Sequence, residues 1–435
     1  MKSGLSFLVG ALRCEIDELA ELAHTSELVD AISQLVHGLQ RERGLSNVWL
    51  GSGGKRFGAE RHAQVTACGA LQVQVRERFD QLGSEARRPG NGARLFSRIA
   101  WVLPGLDALP ELRRRIDAQQ IDAQQIDAAQ ASAAFAKLIA GLLAVVFEAA
   151  DGATDPLISR RLVALFNFMQ GKEFAGQERA CGAAAFSAGH NDGARQQQWL
   201  QLIAAQERCF QLFAEFSDAA VLAAWQERQP SAQAAELERL RRIACAAPAG
   251  GALDTELTAR WFDCSTARID AMHSVEERLT SQLHQVCENR IAQARAELQS
   301  HESLLDILPC DDEPRAAAAF FDVPAGVAPA APSPLPGEAP APFGRHLERS
   351  ILDLVQEQST RLQSMNDELD TVRAALNERK LVERAKGLLM AHRRLSEQDA
   401  HKLLRQTAMN QNRRLVDVAE SVLSMADLLP GEPAA

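Results

Sequence analysis

The chain has 435 residues, a formal net charge of −10 and 46% hydrophobic residues, ample for two or three domains with cores of their own. Aromatics make up only 5% and tyrosine is absent; alanine and leucine dominate, with no convincing run of alternating β-branched residues, so an all-α fold is expected. The 8 cysteines are scattered singly without a CxxC pair, which argues against a metal or disulfide framework and for reduced thiols.

At the N-terminus, Leu5 to Leu12 is a short apolar stretch followed by Arg13, Cys14 and Glu15. Arg13 spoils a lipoprotein signal, and no apolar run approaches the roughly 20 residues of a membrane helix. The segment therefore reads as the start of a soluble helix in a cytoplasmic protein with no membrane partner. From about residue 25 to 310 long helical patterns run with few breaks. The first informative segment is Leu39-Gln40-Arg41-Glu42-Arg43-Gly44-Leu45-Ser46.

Further on, Ile116-Asp117-Ala118-Gln119-Gln120 begins a five-residue repeat that continues through Ile121 and Ile126. Five residues turn a helix by about 500°, so successive isoleucines cannot share one buried stripe. The repeat reads as an expansion tolerated near a helix end. Two more segments resemble the first in kind: Phe166 to Ala180, containing Gly171-Lys172-Glu173-Phe174-Ala175-Gly176-Gln177-Glu178-Arg179, and Trp261 to Asp270, containing Arg268. Each sets an arginine amid apolar helix, a costly arrangement that needs a partner. That partner is either a nearby acid (Glu42, Glu178 or Asp270) in a buried salt bridge, or a ligand. Gly44, Ser46, Ala175 and Gly176 permit close helix approach. A flexible stretch is expected around Ala246 to Gly251.

Together the three segments resemble the NIT domain, a helical receptor for nitrate and nitrite, over most of residues 30–290. The resemblance implies nitrate or nitrite as effector ligand, no other cofactor, and Arg43, Arg179 and Arg268 as ligand-binding residues at the matching segments. The chemistry is consistent, because a planar guanidinium fork can pair two oxygens of a planar monoanion at once.

Asp322 to Gly344 is rich in proline and alanine and reads as a semi-extended spacer. Beyond it, Ile351, Val355, Gln358, Leu362, Met365, Leu369, Val372 and Leu376 alternate spacings of four and three. That is either a heptad seam, through which two copies could pair as a homodimer, or an amphipathic helix packing within its own chain. From Arg373 to Leu415, eleven basic residues face four acidic ones, +7 in a chain of −10. Segregated positive charge marks a polyanion-binding surface. Arg379, Lys380, Arg384, Lys386, Arg393 and Arg394 fall within about a half-turn of arc on one helix, with Leu381, Val382, Ala385, Leu388 and Leu389 opposite. Ser396-Glu397-Gln398-Asp399 reads as a capping box opening a second helix that carries Arg405, and Leu415 to Leu423 forms a third. On charge alone this module is a DNA-binding helix-turn-helix, a solvated face or an RNA-binding unit.

The ordered pattern Glu383-Arg384-Ala385-Lys386-Gly387-Leu388-Leu389-Met390, Leu395-Ser396-Glu397, Asp399-Ala400, Leu403-Leu404-Arg405, Ala408-Met409, Asn412 and Val418-Ala419 is similar to the ANTAR domain, the RNA-binding domain of transcription antiterminators. His401 departs from the aromatic residue common there. The expected architecture is thus an N-terminal helical-bundle receptor over 25–310, a Pro/Ala-rich linker over 311–344, and a coiled-coil helix with a small three-helix module over 345–428. The combination is similar to nitrate-responsive transcription antiterminators that bind leader-RNA hairpins of nitrate-assimilation genes. A DNA-binding regulator, or an RNA-binding antiterminator answering another small anion or a protein signal, are the alternatives. No nucleophile–base constellation or phosphate loop supports an enzymatic step.

Overall fold

The computed structural model describes residues 4–85, 92–118, 126–229, 231–248 and 250–307, and towards the C-terminus 364–365, 368–369, 378, 381–382, 384–386, 388–389, 395, 397–411 and 413–426. Contacts divide the chain into a unit Met1–Gln363 and a unit Ser364–Ala435. Among the described residues there is no strand, only an isolated bridge between His190 and Ala252.

The first unit contains helices α1 (Gly4–Gly51), α2 (Gly58–Glu85), α3 (Gly92–Asp117), α4 (Ala128–Gly152), α5 (Pro156–Ala188), α6 (Gly193–Phe216), α7 (Ala219–Glu227), α8 (Ser231–Ala246) and α9 (Leu257–Ile307). Local chemistry starts and stops them. Asp127 and Gln130 close a capping box on α4. Asp155 caps α5 ahead of Pro156 at its first position, and Gly189 ends it in the left-handed conformation at φ 68°. Asp192 accepts from the Arg195 amide to open α6.

The core is a bundle in which α1 packs on α9, α5, α4 and α2, and α5 packs on α9 and α6. Leu28, Ile32, Leu35 and Leu39 of α1 are fully buried at helical spacing, each worth about 1.5–3 kcal/mol of burial. Links from Arg13 to Glu302 and from Ser33 to Glu276 show that α9 runs antiparallel to α1. Lys172 with Glu276 and Arg179 with Thr266 show the same for α9 and α5. A smaller apolar cluster around Trp199 and Trp261 packs α5, α6, α8 and α9 at one end of the bundle.

Several expectations meet a definite outcome here. Helix α3 does end inside the five-residue repeat, with Ile116 and Ile126 both buried and Ile121 outside the described residues. The break after Ala246 is present but tied down: the Gly250 amide donates to Asn191, Leu253 to Gly189, and Gln196 reaches the Ala247 carbonyl. Only the expectation that no apolar run is long enough for a membrane helix is corrected. The span Ala128–Asp151 of α4 holds an 18-residue window of mean hydropathy 1.9, long and apolar enough to cross a bilayer, although Lys137 and Glu148 interrupt it. Yet 61% of that window is buried inside the protein against α1, α3 and α5, the environment of a core helix.

The second unit contains α10 (Glu397–Gln411) and α11 (Leu415–Ala426), with described residues between 364 and 389 also helical. Ala385, Leu389, Ala400, Leu404, Ala408, Val418 and Ala419 form its core. Helix α10 begins where the capping-box pattern placed it, though Ser396 lies outside the described residues. The 311–344 linker and most of the heptad seam also lie outside them; Leu369 of that seam is helical and buried.

Candidate functional site

The buried stripe of α1 runs Ile32, Val36 and then Gln40 and Arg43, so an apolar face becomes polar two turns before the helix ends. Arg43 is 1% exposed and pairs through both terminal nitrogens with Glu173 of α5, at 2.6 and 3.1 Å. Gln40 donates to the same carboxylate at 2.9 Å and Gln177 at 2.9 Å, so each Glu173 oxygen accepts two hydrogen bonds.

Arg179 lies in the same layer and is differently placed. It donates to the Gln40 carbonyl and the Thr266 hydroxyl, and its guanidinium covers the Phe262 ring at 5.2 Å. Among the described residues no carboxylate lies within 4 Å of it, and Asp270 acts from the exposed surface of α9. Burial, and then the Arg43 guanidinium, bring its pKa down to about 10 against the opposing pull of Asp270 and Glu173, so it remains charged at neutral pH with no carboxylate in contact among the described residues.

The two glycines explain how two arginines fit into one helix crossing. A Cβ on Gly44 would meet Arg179 Nη2 at 2.7 Å, and a Cβ on Gly176 would meet Arg43 Nη2 at 2.6 Å. Each guanidinium lies against the bare backbone of the opposite helix, a position no larger residue leaves open. Arg43 and Arg179 are therefore brought together, as the sequence implied.

Arg268 is not part of this pair. It belongs to a neighbouring cluster centred on Glu178, which accepts from both sides of the Arg241 guanidinium at 2.7 Å, from Trp199 at 3.0 Å and from Gln206 at 2.6 Å. Burial would raise the Glu178 pKa, but the Arg241 hydrogen bonds and charge lower it. Arg268 donates to Gln206 at 2.8 Å and stands 3.7 Å from Glu178; burial and Arg241 bring it down to about 10. It lines a cavity of about 210 Å³ with Trp225, Gln233, Glu238 and Arg241.

About two turns towards the start of α1 a third polar group sits on the same helices. Lys172 pairs with fully buried Glu276, which also accepts from Ser33 at 2.6 Å. The His37 and His273 rings stack beside it with centroids 3.6 Å apart.

Of the acids named as partners for the arginines, Glu42 pairs with Arg113 and Glu178 with Arg241. Glu173, Gln40 and Gln177 lay within the quoted segments but had no role. The signal was there: Gln40 and Arg43 are three apart, and Glu173 and Gln177 four apart, so each pair shares a helix face.

In the C-terminal unit, Arg384 and Arg405 are exposed. Lys386 corrects the helical-wheel expectation that it stands on the open face beside Arg384, since it is only 7% exposed. By helical spacing it lies at the edge of the basic arc, next to Val382 and Leu389, a place where a long aliphatic stem can cover the apolar stripe. Arg413 and Arg414 are engaged at the start of α11 by Asp417 and Ser421. Arg379, Lys380, Arg393 and Arg394 lie outside the described residues.

Comparison with known proteins matches residues 34–284 to the NIT family, described as nitrate and nitrite sensing, and residues 370–423 to the ANTAR domain. The first span holds all three arginines and the second all seven basic candidates. A nitrate regulatory protein of Klebsiella oxytoca is 34% identical over 423 residues, covering 96% of this chain and 94% of that protein. A solved structure of the NasR transcription antiterminator shares 31% identity at a TM-score of 0.57, covering 97% of this chain and 99% of its own.

Proposed function

Because the chain belongs to the family that joins a nitrate- and nitrite-sensing NIT domain to an ANTAR domain, we propose that it is a one-component, cytoplasmic regulator in which nitrate or nitrite seats between Arg43 and Arg179. It is a nitrate-responsive antitermination regulator that binds RNA through the ANTAR domain, and the family is regulatory, not enzymatic. The observation that supports the seat is the reciprocal packing of two buried guanidiniums on Gly44 and Gly176, one of them with no carboxylate in contact among the described residues. Arg268, on the adjoining Glu178 cluster, is the third candidate.

The receptor occupies residues 25–310 and the linker 311–344, and the module of 345–428 carries the RNA contacts, with the heptad seam offering a homodimer interface. Arg384 and Arg405 supply exposed cations; Arg379, Lys380, Lys386, Arg393 and Arg394 complete the set. Phosphate contacts of this kind position the module on leader-RNA hairpins, and sequence is read from unpaired bases. Linkage requires nitrate to bind the active arrangement more tightly than the resting one.

The test is calorimetric titration of the full chain with nitrate, nitrite, chloride and sulfate, followed by hairpin binding with and without the tightest ligand. Nitrate or nitrite binding that changes RNA affinity supports the reading. Heat from none of the four ions, or equal affinity for hairpin RNA and duplex DNA of the same sequence, would overturn it.

A further inference from the structure

We infer that Glu173 sets the charge the seat accepts, restricting it to a monoanion; this rests on the reading of Arg43 and Arg179 as that seat. Buried charges around the layer are matched. Lys172 faces Glu276, Arg113 faces Glu42, and Arg241 with Arg268 face Glu178 and Glu238. Within the layer itself Arg43 and Arg179 carry two positive charges and Glu173 one negative, all 5% exposed or less. Inside that dry layer one positive charge is left over, the one on Arg179, which no carboxylate contacts among the described residues and which Asp270 attracts only from the exposed surface of α9.

An uncompensated charge in a dry interior is costly, so an anion of charge −1 restores neutrality. A dianion would leave the layer negative and would meet Glu173 at close range. Glu173 is not free to swing away, because Arg43, Gln40 and Gln177 hold both of its oxygens from two helices. The carboxylate thus acts as a fixed internal anion, taking the first of two anionic places on the guanidinium pair and leaving one.

The experiment compares sulfate and nitrate on the full-length protein by calorimetry at fixed ionic strength, in the wild type, Glu173→Gln and Glu173→Asp. Ion shape and hydration are common to all three proteins, so the sulfate-to-nitrate affinity ratio isolates the charge of the layer. The ratio should rise by at least about tenfold in Glu173→Gln, whose layer carries two unbalanced charges, and stay within about threefold of wild type in Glu173→Asp. An unchanged ratio in Glu173→Gln, with nitrate still bound by the wild type, would overturn the inference alone. Absence of nitrate binding by the wild type would overturn the seat, and the inference with it. If circular dichroism shows that Glu173→Gln does not fold, the wild type and Glu173→Asp decide: sulfate competing with nitrate at equal strength overturns the inference, and rejection of sulfate by both supports it.

Discussion

Arg43 and Arg179 look alike in sequence, each an arginine after a glutamate on an amphipathic helix, yet they should respond differently to truncation. Arg43→Ala removes the partner of a carboxylate that is 1% exposed and leaves it buried and unpaired, a loss of about 3–5 kcal/mol. Arg179→Gln removes a buried charge that no carboxylate contacts among the described residues and can keep the Thr266 contact, so its thermal midpoint should equal or exceed that of the wild type. Both should abolish nitrate binding, and Arg43→Lys should weaken it because a point charge cannot reproduce the fork. Calorimetry with parallel melting curves checks this; nitrate bound by Arg179→Gln at wild-type affinity would refute the seat. Acid should also weaken the bundle. Burial, with Lys172 and His273, lowers His37 to about 3. A lowered pKa means the unfolded chain binds more protons, so stability present above pH ~6.5 is lost as pH falls through that value towards 3. Glu276 adds a second loss. Burial would raise its pKa, but Lys172, His273 and Ser33 hold it near 2, so its contribution fades below about pH 4.3. Between pH 7 and 5 the denaturant midpoint should drop by no more than about 2 kcal/mol equivalent, and His37→Gln should flatten that slope.

Among the helices, those with strong apolar periodicity were legible from sequence alone. The start of α10 and the apolar face of α11 are found where the spacing put them. What escaped was pairing across the chain. Arg43 and Glu173 are 130 residues apart, and no local pattern says which acid meets which arginine. The same limit applies to Arg268, whose partner Gln206 lies on α6, outside every motif quoted. Lys386 escaped for another reason: a wheel assigns direction from Cα, whereas a lysine stem can fold back over its apolar neighbours. That distinction separates two substitutions. Arg384→Ala should weaken hairpin binding and lower its salt slope by about one, leaving the far-UV helical signal intact. Lys386→Ala should also lower the melting point of the C-terminal unit. An equal loss of helix in both variants would assign Arg384 a packing role.

For the whole molecule, the C-terminal unit has a core of its own in Ala385, Leu389, Ala400, Leu404 and Val418. The proline-rich composition of Asp322 to Gly344, ahead of it in sequence, is expected to transmit force poorly, which favours control by docking and release over rigid transmission. A fragment beginning at Arg345 should then bind RNA without nitrate, whereas the full chain should need it. Gel-shift titration of both decides; equal affinity in the full chain with and without nitrate, matching the fragment, would exclude autoinhibition. The length of α9 adds a consequence of its own. It is one unbroken helix of 51 residues, with Thr266 near its start touching Arg179 and Ile307 at its other end. At 1.5 Å per residue those points are about 60 Å apart, so a tilt of about 5° at the arginines sweeps the far end through about 5 Å. At that end the pair Arg13 with Glu302 is exposed and adds little, while His301 and Ala294 are buried. A tilt too small to disturb the packing around a three-oxygen ion would thus arrive at the far end of the lever as a step about the height of one helical turn.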